Sequence, residues 1–213
     1  MGRPADRLDD GPAGGPGSRR HTGQGEERKQ QLLDAAADLF SSRGYANTRI
    51  IDICERAGVA KGLFYWYFDT KESLYAEMIR DMRKRLRRVQ AEAMDPGADG
   101  VQRIRQAAFA SMMYLAAHPR FFAFMSDDTR KPALEGVVDE GEAVYAADTE
   151  RLIREAQGSG HALDWLDPGL AALGVQSTVG AFSQLLRDGD GSRDPETVAR
   201  FAADWVVRAL SGV

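Results

Sequence analysis

The chain has 213 residues, long enough to bury a core in one large domain or in a small and a medium one. Hydrophobic residues make up 43% of it and charged residues 28%, which is ordinary for a globular protein. No apolar run approaches the roughly 18 residues of a membrane span, and the polar N-terminus lacks a signal-peptide core. The single cysteine, Cys54, excludes a disulfide framework and a cysteine-cluster metal site. We expect a cytoplasmic protein with no membrane partner, metal or cofactor.

Charge is divided unevenly along the chain, although the net charge is only −4. Residues 1–88 hold 17 Lys and Arg against 13 Asp and Glu, whereas residues 89–213 hold 11 against 19. A basic N-terminal part on an acidic body is typical of a protein whose N-terminal domain binds nucleic acid. The alternative is that surface charge is segregated by chance, and only a sequence motif can decide between the two interpretations.

Residues 1–25 are rich in glycine and proline and hold almost no large apolar side chains. Such a segment cannot repay the entropy of ordering, so we expect a disordered N-terminal arm. From Glu26 onward the apolar residues repeat at helical spacing, with Leu32 and Leu39 on one stripe. Gly44 is placed to end this first helix as a C-cap glycine.

Three more helices are predicted directly after it. Thr48 is a good N-cap for a short second helix, which Gly58 ends after little more than two turns. A third helix is expected over residues 60–67. Thr70 then caps a longer fourth helix, which the sequence Asp95-Pro96-Gly97 breaks.

The second half of the chain is also predicted to be helical, because no strand-like alternation of apolar and polar residues extends over five positions. Asp167-Pro168 and Asp194-Pro195 each place an N-cap before a proline at the first helical position. The predicted fold class is therefore all-α. The helices expected in this half span residues 101–117, 120–126, 132–157, 168–187 and 195–210.

The segment 48–68 has the features that a helix-turn-helix requires. Gly58 supplies the tight turn between two short helices. The second of them begins with small residues, Ala60 and Gly62, so its N-terminal end can approach base edges in the major groove of DNA. Lys61 is positioned to donate to guanine or to a phosphate.

An ordered set of residues with characteristic spacing runs through this region: Gly44-Tyr45, Thr48, Ile53, Ala57-Gly58-Val59, Lys61-Gly62, Phe64-Tyr65, Tyr67-Phe68, Lys71 and Leu74. Over residues 30–81 the chain thereby resembles the N-terminal signature of the tetracycline-repressor (TetR) family of bacterial regulators. The resemblance implies a three-helix DNA-binding head at residues 26–86, with the helix-turn-helix at 49–68. It further implies a helical ligand-binding and dimerisation domain at 87–213.

The resemblance also implies roles for single residues. Thr48 is similar to the residue that caps the second helix and touches a phosphate, Tyr65 to an aromatic whose hydroxyl meets the DNA backbone, and Lys71 to a phosphate-binding lysine. Ala60 and Leu63 stand where many relatives carry Ser or Thr, which leaves fewer side-chain hydrogen bonds to bases. The predicted DNA contacts are Thr48, Arg49, Lys61, Gly62, Leu63, Tyr65, Trp66, Tyr67 and Lys71.

Other aromatic residues of the head are expected to be buried. Phe64, Phe68 and Tyr45 are predicted core residues, and Tyr67 could serve the core or the DNA. Cys54 lies on the apolar stripe of its helix and is interpreted as packing.

The C-terminal domain is expected to bind a homodimer partner and a small molecule. Small residues along the 168–187 helix and a wide apolar face on the last helix favour a four-helix dimer interface, the alternative being that both helices cover only their own core. Adaptable methionines beside aromatic residues suit a pocket for an apolar or aromatic effector. The candidate pocket residues are Phe109, Met112, Met113, Phe122, Met125, Tyr145, Trp165, Gln176 and Phe182.

These features predict a repressor, not an enzyme, that an effector releases from a palindromic operator in double-stranded DNA. The effector is expected to act by changing the spacing of the two heads through the fourth helix. A small helical enzyme is the rival class, but the chain has no nucleophile elbow, no helical metal pair and no phosphate-binding glycine loop. A further alternative is that the protein is an activator, or a structural DNA-binding protein without an effector.

Overall fold

The computed structural model of the protein describes residues 17–119, 132–188 and 191–212. These residues form helices and no strand, which confirms the predicted all-α fold. None of the helices so described is both long enough and apolar enough to cross a membrane. The helices are α1 Gly17–Arg43, α2 Ile50–Ala57, α3 Lys61–Tyr67, α4 Lys71–Ala93, α5 Gly100–Ala117, α6 Pro132–Gly158, α7 Pro168–Asp188 and α8 Pro195–Ser211.

The first helix starts earlier than its sequence predicts. α1 begins at Gly17 and not at Glu26, so the predicted disordered arm is wrong for residues 17–25. The Tyr67 hydroxyl donates to the Gly25 carbonyl at 2.7 Å, which ties the last residue of this segment to α3. Residues 1–16 and the short helix predicted over 120–126 lie outside the described residues.

The other helix limits fall within two residues of the predicted ones, because local capping signals set them. Thr70 caps α4 as expected: its hydroxyl accepts from the Ser73 amide at 3.0 Å. Asp194 likewise accepts from the Thr197 amide at 2.9 Å, with Pro195 at the first position of α8.

The head has its own core, formed by α1, α2, α3 and the first half of α4. Phe64, Phe68 and Tyr45 are 0%, 4% and 6% exposed, so their predicted burial is confirmed. Cys54 is buried in the same cluster, as predicted from its apolar stripe. The largest fully buried side chains of the head are Phe40, Phe64, Leu32, Ile53, Leu74, Met78, Ile79 and Met82.

The body packs α5 to α8 around two further clusters. α5 lies against α4, α6, α7 and α8 and is the central helix of this part. α4 contacts both parts. Met82 is the last residue of α4 in the head core, and Met94, which follows the end of α4, packs against the body. This division is compatible with the domain boundary predicted at residues 86–87, which stays a prediction.

Gly100, the first residue of α5, lies against the backbone of α6. A Cβ atom at this position would sit 2.2 Å from the Leu152 carbonyl oxygen and 3.1 Å from the Ala156 Cβ. Real Cβ atoms do not approach a backbone oxygen so closely, so the two helices could keep this distance only with glycine here.

We expect Gly100→Ala to destabilise the protein by about 1–3 kcal/mol, because backbone must move to admit the methyl group. In a protein of this size the melting temperature should fall by roughly 2–4 °C for each kcal/mol. Gly158→Ala is the matched control, because no atom lies within 4 Å of its added Cβ. Equal melting temperatures for the two variants, measured by circular dichroism, would contradict the predicted clash.

Candidate nucleic-acid interface

The turn between α2 and α3 has the geometry predicted for it. Gly58 adopts a left-handed backbone conformation with φ 65°, which glycine accepts without steric cost. The amide groups of Gly58 and Val59 bind the Glu55 and Cys54 carbonyls at 3.2 and 3.0 Å. This turn fixes the two helices against each other and directs α3 along the surface of the head.

α3 presents one face to the core and another to solvent. Phe64 is fully buried, whereas the Tyr65 and Trp66 side chains are 48% and 73% exposed. Lys61 and Gly62 are exposed in the first turn, and Leu63 beside them is half-buried. Five of the predicted DNA contacts (61–63, 65 and 66) therefore lie together on an open helix face, which we call the α3 face.

The α3 face combines a cation with flat aromatic surfaces. The Lys61 ammonium lies 5.7 Å from the centre of the Tyr65 ring. The Trp66 ring stands edge-on to Tyr67, with ring centres 4.5 Å apart. Such a surface offers one strong hydrogen-bond donor, a phenol hydroxyl and an indole N–H.

Tyr67 is not part of the α3 face, although the sequence also predicted it as a DNA contact. Its ring packs against the head core, and its hydroxyl is committed to the Gly25 carbonyl. Of the two roles that the sequence left open for Tyr67, the structure favours the core, through a partner that lies 42 residues earlier in the chain.

Thr48 is buried inside the head, contrary to its predicted contact with a phosphate. Its side chain is 1% exposed, and its hydroxyl donates to the Gly44 carbonyl at 2.9 Å. It is not the N-cap of α2 either, since that position belongs to Arg49. The buried Thr48 hydroxyl instead stabilises the loop between α1 and α2 by its hydrogen bond to Gly44.

Arg49 reaches the surface but is paired with a carboxylate of its own helix. Its guanidinium donates two hydrogen bonds to Asp52, at 2.7 and 3.0 Å, and its backbone amide donates a third at 3.0 Å. These bonds hold the pKa of Asp52 at about 2, well below its usual range. Nearby, Arg56 of α2 is paired with Asp38 of α1 at 2.7 Å.

The ammonium of Lys71, a predicted phosphate contact, is bound to the chain itself. Its ammonium donates to the backbone carbonyls of Tyr45 at 2.7 Å and of Thr48 at 2.8 Å. It also lies 4.2 Å from the centre of the Tyr45 ring. The free protein therefore uses this lysine to bind the loop between α1 and α2.

A groove of about 570 Å³ runs between α3 and the N-terminal half of α1. The sequence did not predict it, because residues 17–25 were expected to be disordered. Trp66 forms part of its wall, so the groove opens beside the α3 face. Its lining residues are Gln24, Gly25, Glu27, Arg28, Gln31, Leu63, Trp66 and Tyr67.

The predicted effector residues are only partly brought together. Met112 is fully buried in a cluster between α5, α7 and α8, and Phe109, Met113 and Phe182 pack against that cluster. Trp165 does not join this cluster: it is 77% exposed, in the turn before α7. Its sequence position could not reveal this, because an aromatic residue is equally compatible with a pocket and with an interface.

The remaining predicted effector residues lie elsewhere or cannot be described. Tyr145 is half-buried on α6, where burial raises the pKa of its phenol, and Gln176 is half-buried on α7. Neither belongs to the cluster around Met112. Phe122 and Met125 lie outside the described residues.

α7 and α8 expose large apolar side chains on their outer surface. Leu170 and Leu173 of α7 are 71% and 57% exposed, and Phe201 and Trp205 of α8 are 57% and 56% exposed. We call these four residues and Trp165 the apolar outer face. Monomeric proteins rarely leave such side chains grouped in water, so this face is a candidate interface.

Known proteins resemble this chain both in the head and over most of its length. Residues 32–78 match the model of the bacterial regulatory proteins of the tetR family. The chain is 29% identical over 155 residues to the HTH-type transcriptional activator FasR of Mycolicibacterium smegmatis, covering 71% of each chain. It is 24% identical over 179 residues to the "Probable acrEF/envCD operon repressor" of Escherichia coli, covering 80% of each.

A solved structure extends the likeness to the fold. The transcriptional regulator FadR from Bacillus subtilis, in complex with stearoyl-CoA, superposes with a TM-score of 0.77 at 20% sequence identity. The superposition covers 85% of this chain and 98% of FadR. The helical head and helical C-terminal part are thus an arrangement already known among regulators.

Proposed function

This chain belongs to the TetR family of bacterial regulatory proteins, and we propose that it is a sequence-specific transcriptional repressor that binds a palindromic operator as a homodimer. The α3 face carries this proposal: an exposed lysine, tyrosine and tryptophan on a short helix held by a tight turn. We place this activity in the cytoplasm, at the nucleoid.

The α3 face fits the major groove of B-DNA in size and chemistry. The groove is about 12 Å wide and admits one α-helix. The exposed Gly62 allows close approach of the helix, Lys61 can donate to guanine, and the rings of Tyr65 and Trp66 can meet the sugar-phosphate backbone.

The direction of regulation depends on where the operator lies relative to the promoter. One relative is named an activator and another a repressor, so activation is the second candidate function. The surface that reads DNA would be the same in both cases.

The proposal predicts that Lys61→Ala weakens binding to the operator by about tenfold or more, as the loss of a base contact worth about 1–3 kcal/mol implies. The operator is first obtained by selecting random double-stranded DNA on the full-length protein, and affinity is then measured by fluorescence anisotropy. Lys84→Ala, an exposed lysine of α4 remote from the α3 face, is the control and should bind as the wild type does. Failure of the wild-type protein to enrich any sequence would refute the proposal.

The apolar outer face supports a homodimer. Two such faces brought together would bury Leu170, Leu173, Phe201 and Trp205, and a stable interface of this kind covers about 800 Å² on each partner. The exposed glycines Gly174 and Gly180 have no atom within 4 Å of a built Cβ, which leaves room for close approach of a partner helix. Dimerisation would also set two α3 faces about 34 Å apart, the distance between successive major grooves.

We therefore expect Trp205→Glu to convert the dimer into a monomer, because the partner would have to bury an unpaired carboxylate. Gln102→Glu, which adds the same charge at an exposed position of α5, should leave the dimer intact. Analytical ultracentrifugation measures both masses. A dimeric Trp205→Glu variant would place the interface elsewhere.

We propose that the effector is an apolar molecule that binds beside the cluster of Phe109, Met112, Met113 and Phe182. Methionine and aromatic side chains adapt to apolar ligands. A relative of the same fold was solved with stearoyl-CoA, so long acyl chains are the first class to consider.

Stearoyl-CoA added to the protein–operator complex should release the DNA in a saturable manner. Phe109→Ala should raise the concentration for half-release by roughly tenfold, the effect of losing about 1.4 kcal/mol of ligand contact. Val144→Ala, an exposed apolar truncation on α6, should respond as the wild type does. A Phe109→Ala response equal to that of the wild type would exclude this cluster as the site.

A further inference from the structure

The first residue of α4 carries its positive charge at an unfavourable place. Lys71 follows the N-cap Thr70 directly, so its side chain leaves the end of the helix where the backbone dipole is already positive. A cation at this end needs acceptors from elsewhere in the structure. The carbonyls of Tyr45 and Thr48 provide them, at 2.7 and 2.8 Å.

Both acceptors belong to a loop that is fixed by burial. The Tyr45 side chain is 6% exposed and packs between the rings of Phe40 and Tyr75, with ring centres 5.1 and 5.2 Å away. Burial raises the pKa of the Tyr45 phenol, which therefore stays protonated. Thr48 is 1% exposed, and its hydroxyl is bound to Gly44.

The loop held by Lys71 leads straight into the helix-turn-helix. Thr48 precedes the N-cap of α2 by one residue, and α2 carries α3 through the turn at Gly58. The ammonium therefore joins the first residue of α4 to the loop that precedes α2, in addition to the three residues that connect α3 to α4 along the chain. Displacement of α4 would pull on this loop through two charge-assisted hydrogen bonds.

We propose that Lys71 is a positioning residue: its ammonium latches the loop between α1 and α2 onto α4 and so sets the orientation of the α3 face, instead of binding a DNA phosphate. This inference rests on the proposed function, because the orientation matters only to a head that reads DNA. It also gives a movement of α4 a route to the loop before α2 through the Lys71 side chain.

Two measurements distinguish a latch from a phosphate contact. A lysine that neutralises a phosphate contributes about 0.9 to the slope of log K against log salt concentration, or about 1.8 in a dimer. A latch contributes nothing to that slope, since it releases no counterion. Loss of a latch instead exposes the amides of residues 44–49 to hydrogen exchange in the free protein.

The experiment compares Lys71→Met and Lys71→Arg with the wild-type chain and with Lys61→Met. Binding to the selected operator is measured from about 50 to 300 mM KCl, and hydrogen exchange of the free proteins is followed by mass spectrometry. We expect Lys71→Met to lose about tenfold in operator affinity with an unchanged slope, and to exchange residues 44–49 faster. Lys71→Arg should restore the operator affinity and the slow exchange of residues 44–49, because a guanidinium can reach the same carbonyls. Lys61→Met, which removes a cation of the α3 face, should weaken operator binding and leave the exchange of residues 44–49 unchanged.

Other outcomes overturn the inference. A slope that falls by about 1.8 in Lys71→Met, with exchange as in the wild type, would establish a phosphate contact. An unchanged affinity would show that the latch does not orient the α3 face. If Lys71→Met fails to fold, Lys71→Gln takes its place. If the wild type selects no operator, the proposed function fails, whereas the exchange comparison, which needs no DNA, still decides whether Lys71 holds the loop.

Discussion

The packing of α4 against both the head and the body is the interaction on which the rest of the structure depends. Leu74, Met78 and Met82 pack in the head, and the residues after them lead to Met94, which packs in the body. A single helix with 3.6 residues per turn transmits a tilt rigidly from one end to the other. The head and the body therefore cannot change their relative position without a response of this helix.

Polar contacts refine the arrangement that apolar burial establishes. Lys29 of α1 is paired with Glu77 of α4 at 2.5 Å, and Arg87 of α4 with Asp148 of α6 at 2.9 Å. Inside the body, the Gln90 amide donates to the Ser111 hydroxyl at 2.8 Å, a buried bond between α4 and α5. Such pairs add little to stability at the surface but fix the register in which helices meet.

Local signals made much of the fold predictable from the sequence. The turn at Gly58, the cap at Thr70 and the Asp-Pro pair at Asp194 each act within four residues, so periodicity and capping rules identify them. The α3 face was predictable for the same reason, since burial of Phe64 leaves its neighbours exposed. Trp165 was not, because its exposure depends on how the body is assembled.

The features that the sequence did not reveal have one physical cause: long-range contacts decide which groups a polar side chain binds. Nothing near Thr48 or Lys71 in the sequence shows that one is buried and the other bound to loop carbonyls. The hydrogen bond from Tyr67 to the Gly25 carbonyl likewise joins residues that lie far apart in the sequence. A resemblance assigns such residues by position, whereas their hydrogen bonds depend on the packing of the individual chain.

The pairing of Arg49 with Asp52 and of Arg56 with Asp38 affects how the protein would search a genome. Cations already bound to carboxylates attract DNA phosphates weakly, so the head would associate only loosely with arbitrary sequences. A regulator competes for its operator against roughly 10⁶–10⁹ other sites, and the ratio of specific to background affinity decides where it resides. These two pairings would lower the contribution of Arg49 and Arg56 to binding of arbitrary DNA.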